Sequence, residues 1–243
     1  MAENKQGIFR LIARQVCPPI AWEGLRKFTQ LFRVLRARVK STSRAAAGQD
    51  IDVYWEAEMA QLLETWGENN VWKEIQLLMV NCQGKVLDIA CGTGKTMEMI
   101  SRFPLDVYGC DISDLLIEKA IGRGIRQDHL TVCDATKMPY GNDSFEYAYS
   151  IGSLEHFTEE GIALFLDECR RTVRKVSFHM IPISRSGKDE GWLKTYQSFH
   201  NNSIAWWLRR FQSAYKTVYV LDSTWNDQIS VGKWFVCIKN EAA

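Results

Sequence analysis

Long apolar runs are missing from this 243-residue chain: no stretch of about 18 uncharged apolar residues occurs, and no continuous apolar segment of signal-peptide type opens it. A transmembrane or secreted protein is therefore not expected, and the expected setting is cytoplasmic. The seven cysteines include no CxxC pair and fall largely in apolar runs, which excludes a cystine scaffold and common zinc patterns and predicts buried free thiols. Histidine is scarce at four residues, proline at five, and net charge is only +1. The composition excludes disorder and collagen-like repeats, and without a recognition motif nucleic acid is a weaker choice of partner. With 46% hydrophobic and 24% charged residues, the chain has enough apolar content for one large core.

The small net charge conceals an uneven distribution. Residues 1–44 carry +8 and the remainder about −7. In the basic arm Phe28, Leu31, Phe32 and Leu35 alternate with Arg33, Arg36, Arg38, Lys40 and Arg44, an amphipathic helical pattern. Such a helix suits the surface of an anionic membrane, or it packs its apolar stripe on the protein and leaves its charges in water. With the linker STSRAAAGQD, residues 1–50 form an N-terminal extension and residues 51–243 the main domain.

From there strand and helix patterns alternate. Strands are predicted over 85–90, 105–110, 129–133, 145–151, 176–183, 216–222 and 231–238, with helices over 59–66, 71–80, 96–103, 114–121 and 159–173. This order predicts an α/β, doubly wound, Rossmann-like sheet of seven strands, mostly parallel, binding ligand at the carboxyl ends of its strands. The last two strands are separated by STWNDQIS alone, too short for a crossover helix, so the final strand is expected to be antiparallel.

The sharpest motif is KVLDIACGTGKT, where an apolar strand ends near Asp88 and feeds Gly92, Thr93 and Gly94 ahead of a helix. A Walker loop would need glycine at position 89, which is Ile89, and a dinucleotide fingerprint would need Gly or Ala at 97, which is Met97. Asp88 is a poor neighbour for pyrophosphate and a good one for an ammonium group. The motif therefore favours a cationic ligand without phosphate.

DIACGTG in this setting resembles the first motif of class I S-adenosylmethionine-dependent methyltransferases, particularly the compact ubiquinone and menaquinone type. The resemblance covers roughly residues 66–183. It implies S-adenosyl-L-methionine as cofactor, Asp88 at the methionyl amine directly or through water, Ala90 in the cofactor site, and Gly92, Thr93 and Gly94 along the methionyl and ribose portions. In YGCDIS, Asp111 would accept the ribose hydroxyls and Ile112 would pack on the adenine; Asp111 or Asp114 as helix N-cap is the structural alternative. Further along, VCDATKMPYGNDSFEYAYSIGSLEHF resembles the same family, with Asp134 and Ala135 at the adenine edge and Ile151 and Gly152 near the sulfonium. A solvated turn is the alternative for Asp134.

Methyl transfer is an in-line displacement, so a hydroxyl acceptor needs alignment and a base. His156, just after the fourth strand, is the candidate catalytic base, with Glu155 as an alternative base or as the group orienting it; His156 as a helix cap is the structural alternative. His179 and His200 read as structural with a lesser claim to the acceptor site. No acid cluster suggests a metal. Tyr54, Trp55, Trp192, Tyr196, Phe199, Trp206 and Trp207 are candidates for the acceptor pocket, the last two fitting a core helix equally well. Fainter similarity to bacterial surface-polysaccharide methyltransferases suggests a sugar or glycan acceptor and a role in polysaccharide biosynthesis, with quinone or other small-molecule C- or N-methylation and a non-catalytic cofactor-binding protein as alternatives. Nucleic acid is not an expected partner.

Overall fold

Glycine, serine and asparagine turns cut the apolar runs into short βα units, and the sheet follows from how those units stack. The computed structural model describes residues 51–239. The basic arm, including Phe28 and Arg33, and the linker to residue 50 lie outside the described residues. Two helices, α1 (Ala57–Leu62) and α2 (Val71–Met79), precede β1 (Gly84–Ile89). There follow α3 (Lys95–Ile100), β2 (Leu105–Asp111), α4 (Asp114–Gly122), β3 (Leu130–Val132), β4 (Phe145–Ile151), α5 (Glu159–Thr172) and β5 (Val173–Ser184). A two-stranded ribbon, β6 (Trp192–Leu193) and β7 (Phe199–His200), then leads to α6 (Ile204–Ala214), β8 (Thr217–Asn226) and β9 (Ser230–Ile238).

The seven-stranded sheet has the order β3-β2-β1-β4-β5-β9-β8. Strands β3, β2, β1, β4 and β5 pair in parallel, while β9 is antiparallel to both β5 and β8. The expected antiparallel last strand is thus present, inserted between β5 and β8. Strand order reverses between β1 and β4, and the crevice at their carboxyl ends is where an open α/β sheet binds ligand.

Alternation along β1 sends Leu87 and Ile89 to one face and Val86 to the other. Under the first face α5 buries Ile162, Phe165, Leu166 and Cys169 at helical spacing, joined by Trp207 and Phe211 of α6. Each such side chain contributes about 1.5–3 kcal/mol, so Phe165→Ala would be among the costliest changes in the core. Trp72, Ile75 and Met79 of α2 cover the other face. Glu74 joins α2 to the β8–β9 pair, accepting from Ser223 Oγ, Thr224 N and Trp234 Nε1 at 2.7 Å each and from Thr224 Oγ1 at 2.6 Å. Burial opposes its ionisation, yet these donors hold its carboxyl below the usual range.

Three local expectations are corrected. The N-cap of α4 is Ser113, whose Oγ accepts from Leu116 N, and neither Asp111 nor Asp114: the short hydroxyl reaches the orphan N–H while Asp111 turns inward. His156 closes a 3-10 turn over Leu154–His156, and Thr158 caps α5 instead. Strand β8 runs on to Asn226, because Glu74 fixes Ser223 and Thr224 in extended backbone. The cysteines at 82, 91, 110, 169 and 237 are buried free thiols.

Candidate functional site

The loop after β1 takes three left-handed conformations in five residues: Ala90 (φ 61°), Gly92 (φ 55°) and Gly94 (φ 72°). For Gly94 the choice is doubly forced, since a Cβ there would meet that of Ala120 at 2.9 Å. Ala90 has no such freedom and stores about 1–3 kcal/mol of backbone strain, which the neighbouring bonds must offset. Cys91 N–H donates to Cys110 C=O at 2.9 Å, tying the loop to the end of β2.

Asp111 closes the arrangement. One carboxyl oxygen accepts Gly92 N–H at 2.9 Å and the other accepts Ser113 N–H at 2.8 Å. Each oxygen keeps a second lone pair, so two further donors can be received. Burial pushes Asp111 up to about 6, against the pull of the Ser113, Gly92 and Ile112 N–H groups. Asp88 lies beside it on β1, 4% exposed, accepting Tyr149 O–H at 2.8 Å. Burial raises Asp88 far above the carboxylate range; the Tyr149 bond opposes that rise and the charge of Asp111 adds to it. Neither carboxyl has a hydrogen bond or ion pair from Lys or Arg among the described residues. Two buried acids without a cationic partner make a site that gains from a positively charged ligand.

Cys133 N–H donates to Asp111 C=O, which brings β3 and the following Asp134 to the same edge. Asp134 Oδ1 accepts from Thr136 N at 2.9 Å and Thr136 Oγ1 at 2.7 Å, so the side chain also shapes its own turn. Ala135 is buried beside it, while Ile112 and Ile151 are half-buried at the crevice margins. Asp88, Ala90, Gly92, Thr93, Gly94, Asp111, Ile112, Asp134, Ala135 and Ile151 all lie at or just beyond the carboxyl ends of β1 to β4.

His156 stands past the turn after β4. Its Nδ1 is 2.9 Å from the Ser198 carbonyl, and since a carbonyl can only accept, Nδ1 carries the proton and Nε2 the lone pair. Burial pulls its pKa down to about 4, partly offset by the Ser198 bond. Glu155 Oε1 lies 3.7 Å from Nε2. His179 is enclosed between Ser150 (2.9 Å) and Ser177 (3.0 Å), a core residue, and His200 packs edge-on to Trp192 and tilted against Trp206. Trp207 is fully buried core. Among the described residues, no group of three or more His, Cys, Asp or Glu is placed to hold a metal.

Several pairings around the crevice are visible only in three dimensions. Residues 54–66 cross the crevice: Tyr54 C=O accepts Ser113 O–H at 2.6 Å, Trp55 Nε1 donates to Asp114 at 3.1 Å, and Tyr196 O–H donates to Glu56 at 2.6 Å. Leu63 flanks Gly92, Trp66 flanks Gly152, and Glu64 pairs with Arg123, whose Nε donates to Thr93 C=O at 3.0 Å. Nothing local in the sequence marks Arg123 or Tyr149.

A parallel sheet with a left-handed glycine turn between two buried carboxyls at its switch point defines an α/β domain whose site favours a positively charged ligand. Residues 86–176 match the family model described as a methyltransferase domain. Among curated relatives, O-methyltransferase cnsE of Penicillium expansum is 33% identical over 118 residues, 46% of this chain and 43% of the relative. Demethylmenaquinone methyltransferase of Paenarthrobacter aurescens is 26% identical over 179 residues, covering 69% of this chain and 67% of the relative. Other relatives carry tRNA methyltransferase names. The chain spans less than half the length of the first curated relatives it matches. A solved structure of geranyl diphosphate C-methyltransferase from Streptomyces coelicolor, in complex with Mg2+, geranyl diphosphate and S-adenosyl-L-homocysteine, shares the fold with a TM-score of 0.55 at 15% identity, over 68% of this chain and 77% of that one. The match to a methyltransferase domain runs from β1 to the start of β5 and takes in the glycine turn, Asp88, Asp111 and Asp134.

Proposed function

We propose that this protein transfers a methyl group from S-adenosylmethionine to a hydroxyl of a small molecule. The carrying observation is the pair of buried carboxyls, Asp88 and Asp111, around the glycine turn, with no Lys or Arg bonded to either among the described residues. The ligand's ammonium and sulfonium supply the missing positive charge, and the spare lone pairs of Asp111 suit two ribose hydroxyls. Asp134 and Ala135 would hold the adenine edge, between the apolar margins Ile112 and Ile151. Bound there, S-adenosylmethionine supplies an electrophilic methyl group on its sulfonium.

The acceptor oxygen is argued from His156. Its Nδ1–H donates to the Ser198 carbonyl, so Nε2 is the basic nitrogen of the ring and the one that would take a hydroxyl proton. The relative named as an O-methyltransferase supports this reading. A sugar or glycan hydroxyl is the first acceptor class to try, with quinol and phenolic hydroxyls next. The net charge of about −7 outside the basic arm argues against a polynucleotide, although some relatives are named for tRNA. No helix among the described residues is long and apolar enough to cross a membrane. A cytoplasmic site of action, with the arm touching anionic lipid, completes the proposal.

The test is transfer of labelled methyl to nucleotide sugars, glycans, quinols, phenols and unfractionated tRNA. Label on a hydroxyl of the first four supports the reading, and label on tRNA alone overturns its acceptor class.

A further inference from the structure

Glu155 is the buried acid that the assigned roles leave over. It is 3% exposed, and its Oε2 has no hydrogen-bond partner although the atom is shut off from solvent. Leaving a carboxyl oxygen unpaired inside a protein is costly, so an orphan of this kind calls for an explanation. Its position supplies one. A Cβ added to left-handed Gly152 would lie 3.5 Å from Glu155 Oε1 and 3.2 Å from Trp66, so the carboxyl borders bare backbone at the carboxyl end of β4. The carboxyl end of β4 adjoins that of β1, which pairs with it at Asp88–Tyr149 and feeds the glycine turn.

We propose that Glu155 is the counter-charge of the cofactor's sulfonium and, with His156, the store for the proton released by the acceptor. This inference rests on the S-adenosylmethionine reading above and names a residue that reading does not use. Without ligand, burial pushes Glu155 up to about 8, so at neutral pH its carboxyl is protonated. The elements packed on its turn are β5, which carries Arg174, Lys175 and His179, β7, which carries His200, and α5, which carries Glu159, Glu160, Asp167, Glu168, Arg170 and Arg171; His156 stands next in the chain, and no charged group contributes to the shift. A sulfonium brought alongside favours the carboxylate, and the proton leaves.

During transfer the acceptor oxygen bonds to the methyl carbon while the carbon–sulfur bond breaks and its electron pair stays on sulfur. The oxygen's proton passes to His156 Nε2, and the imidazolium then faces the Glu155 carboxylate at 3.7 Å, from which the pair can settle as neutral acid and neutral imidazole. A positive sulfonium and a negative carboxylate are consumed together. The buried site keeps its net charge throughout, which avoids stranding a charge in low dielectric.

The consequence is measurable without any acceptor. S-adenosylmethionine and S-adenosylhomocysteine share the ammonium, ribose and adenine and differ in the sulfonium. Calorimetric titration of each at pH 7 in phosphate and in Tris, buffers of different ionisation enthalpy, counts the protons released. We expect the sulfonium ligand to release more than its thioether by most of one proton in the wild type, and the two to release equally in Glu155→Gln, which keeps the side chain's shape. An equal count for both ligands in the wild type, or an undiminished difference in Glu155→Gln, overturns the proposal. Should Glu155→Gln fail to fold, the wild-type comparison decides alone. Failure of both ligands to bind the wild type would instead sink the cofactor reading itself.

Discussion

Replacing Asp111 by Asn removes a charge while keeping the shape of the side chain, and two effects should separate. The carboxyl now accepts Ser113 N–H and Gly92 N–H on different oxygens. An amide has one acceptor oxygen, so one of those N–H groups loses its bond. In the ligand-free protein, burial raises Asp111 to about 6, roughly two units above its unfolded value, equivalent to about 3 kcal/mol. Because the folded state holds the proton more tightly, this contribution to stability is fully present below about pH 4 and lost as pH rises through about 6. Asn does not titrate there. Urea unfolding of both proteins between pH 4 and 7 should therefore show the wild type losing about 3 kcal/mol relative to the variant. Cofactor affinity moves the other way: each charged hydrogen bond lost to a ribose hydroxyl costs about 1.5–3 kcal/mol, roughly a 10- to 150-fold rise in Kd. A variant with the wild-type pH slope and unchanged affinity would refute the role assigned to Asp111.

Other expectations follow from the same geometry. His156→Ala should bind S-adenosylmethionine as the wild type does while turnover on a hydroxyl acceptor falls by about 10²- to 10⁴-fold; near-normal turnover at saturating cofactor removes His156 as base. Gly94→Ala forces an unfavourable φ and a clash with Ala120, so both the unfolding midpoint and cofactor affinity should drop, and a variant as stable and as tight as the parent contradicts the crowding. Glu74→Ala removes four hydrogen bonds and strands the buried indole N–H of Trp234, a loss of about 2–4 kcal/mol in urea unfolding. Since Glu74 has a depressed pKa, that stabilisation is present above the usual carboxylate range and fades as pH falls through its folded value. Deleting residues 1–44 should abolish flotation with anionic liposomes, and undiminished flotation would dismiss the arm as a membrane contact.

What could be read in advance was local. The β1 turn, the acid ending β2 and the seven strands follow from apolar runs and glycines within a few residues of one another, and the short link before β9 was enough to reverse its direction. The cap of α4 was misread because Asp111, Ser113 and Asp114 compete within four residues, and only the inward turn of Asp111 toward Gly92 decides among them. In the crossing segment 54–66 the helical pattern and the aromatics Tyr54 and Trp55 could be read, but the groups they pair with could not. Its partners Ser113, Asp114, Arg123, Gly152 and Tyr196 lie far along the chain, and pairing at such separation leaves no periodicity behind. The same holds for Ser198, which fixes the tautomer of His156 from 42 residues away.

The central claim is that Asp88, Asp111 and the left-handed turn between them bind a cationic, phosphate-free nucleoside. Isothermal titration of the protein with S-adenosylmethionine, S-adenosylhomocysteine, NADH and ATP tests it directly. Binding of the first two alone is the expected result; binding of NADH or ATP with neither of the first two would contradict it.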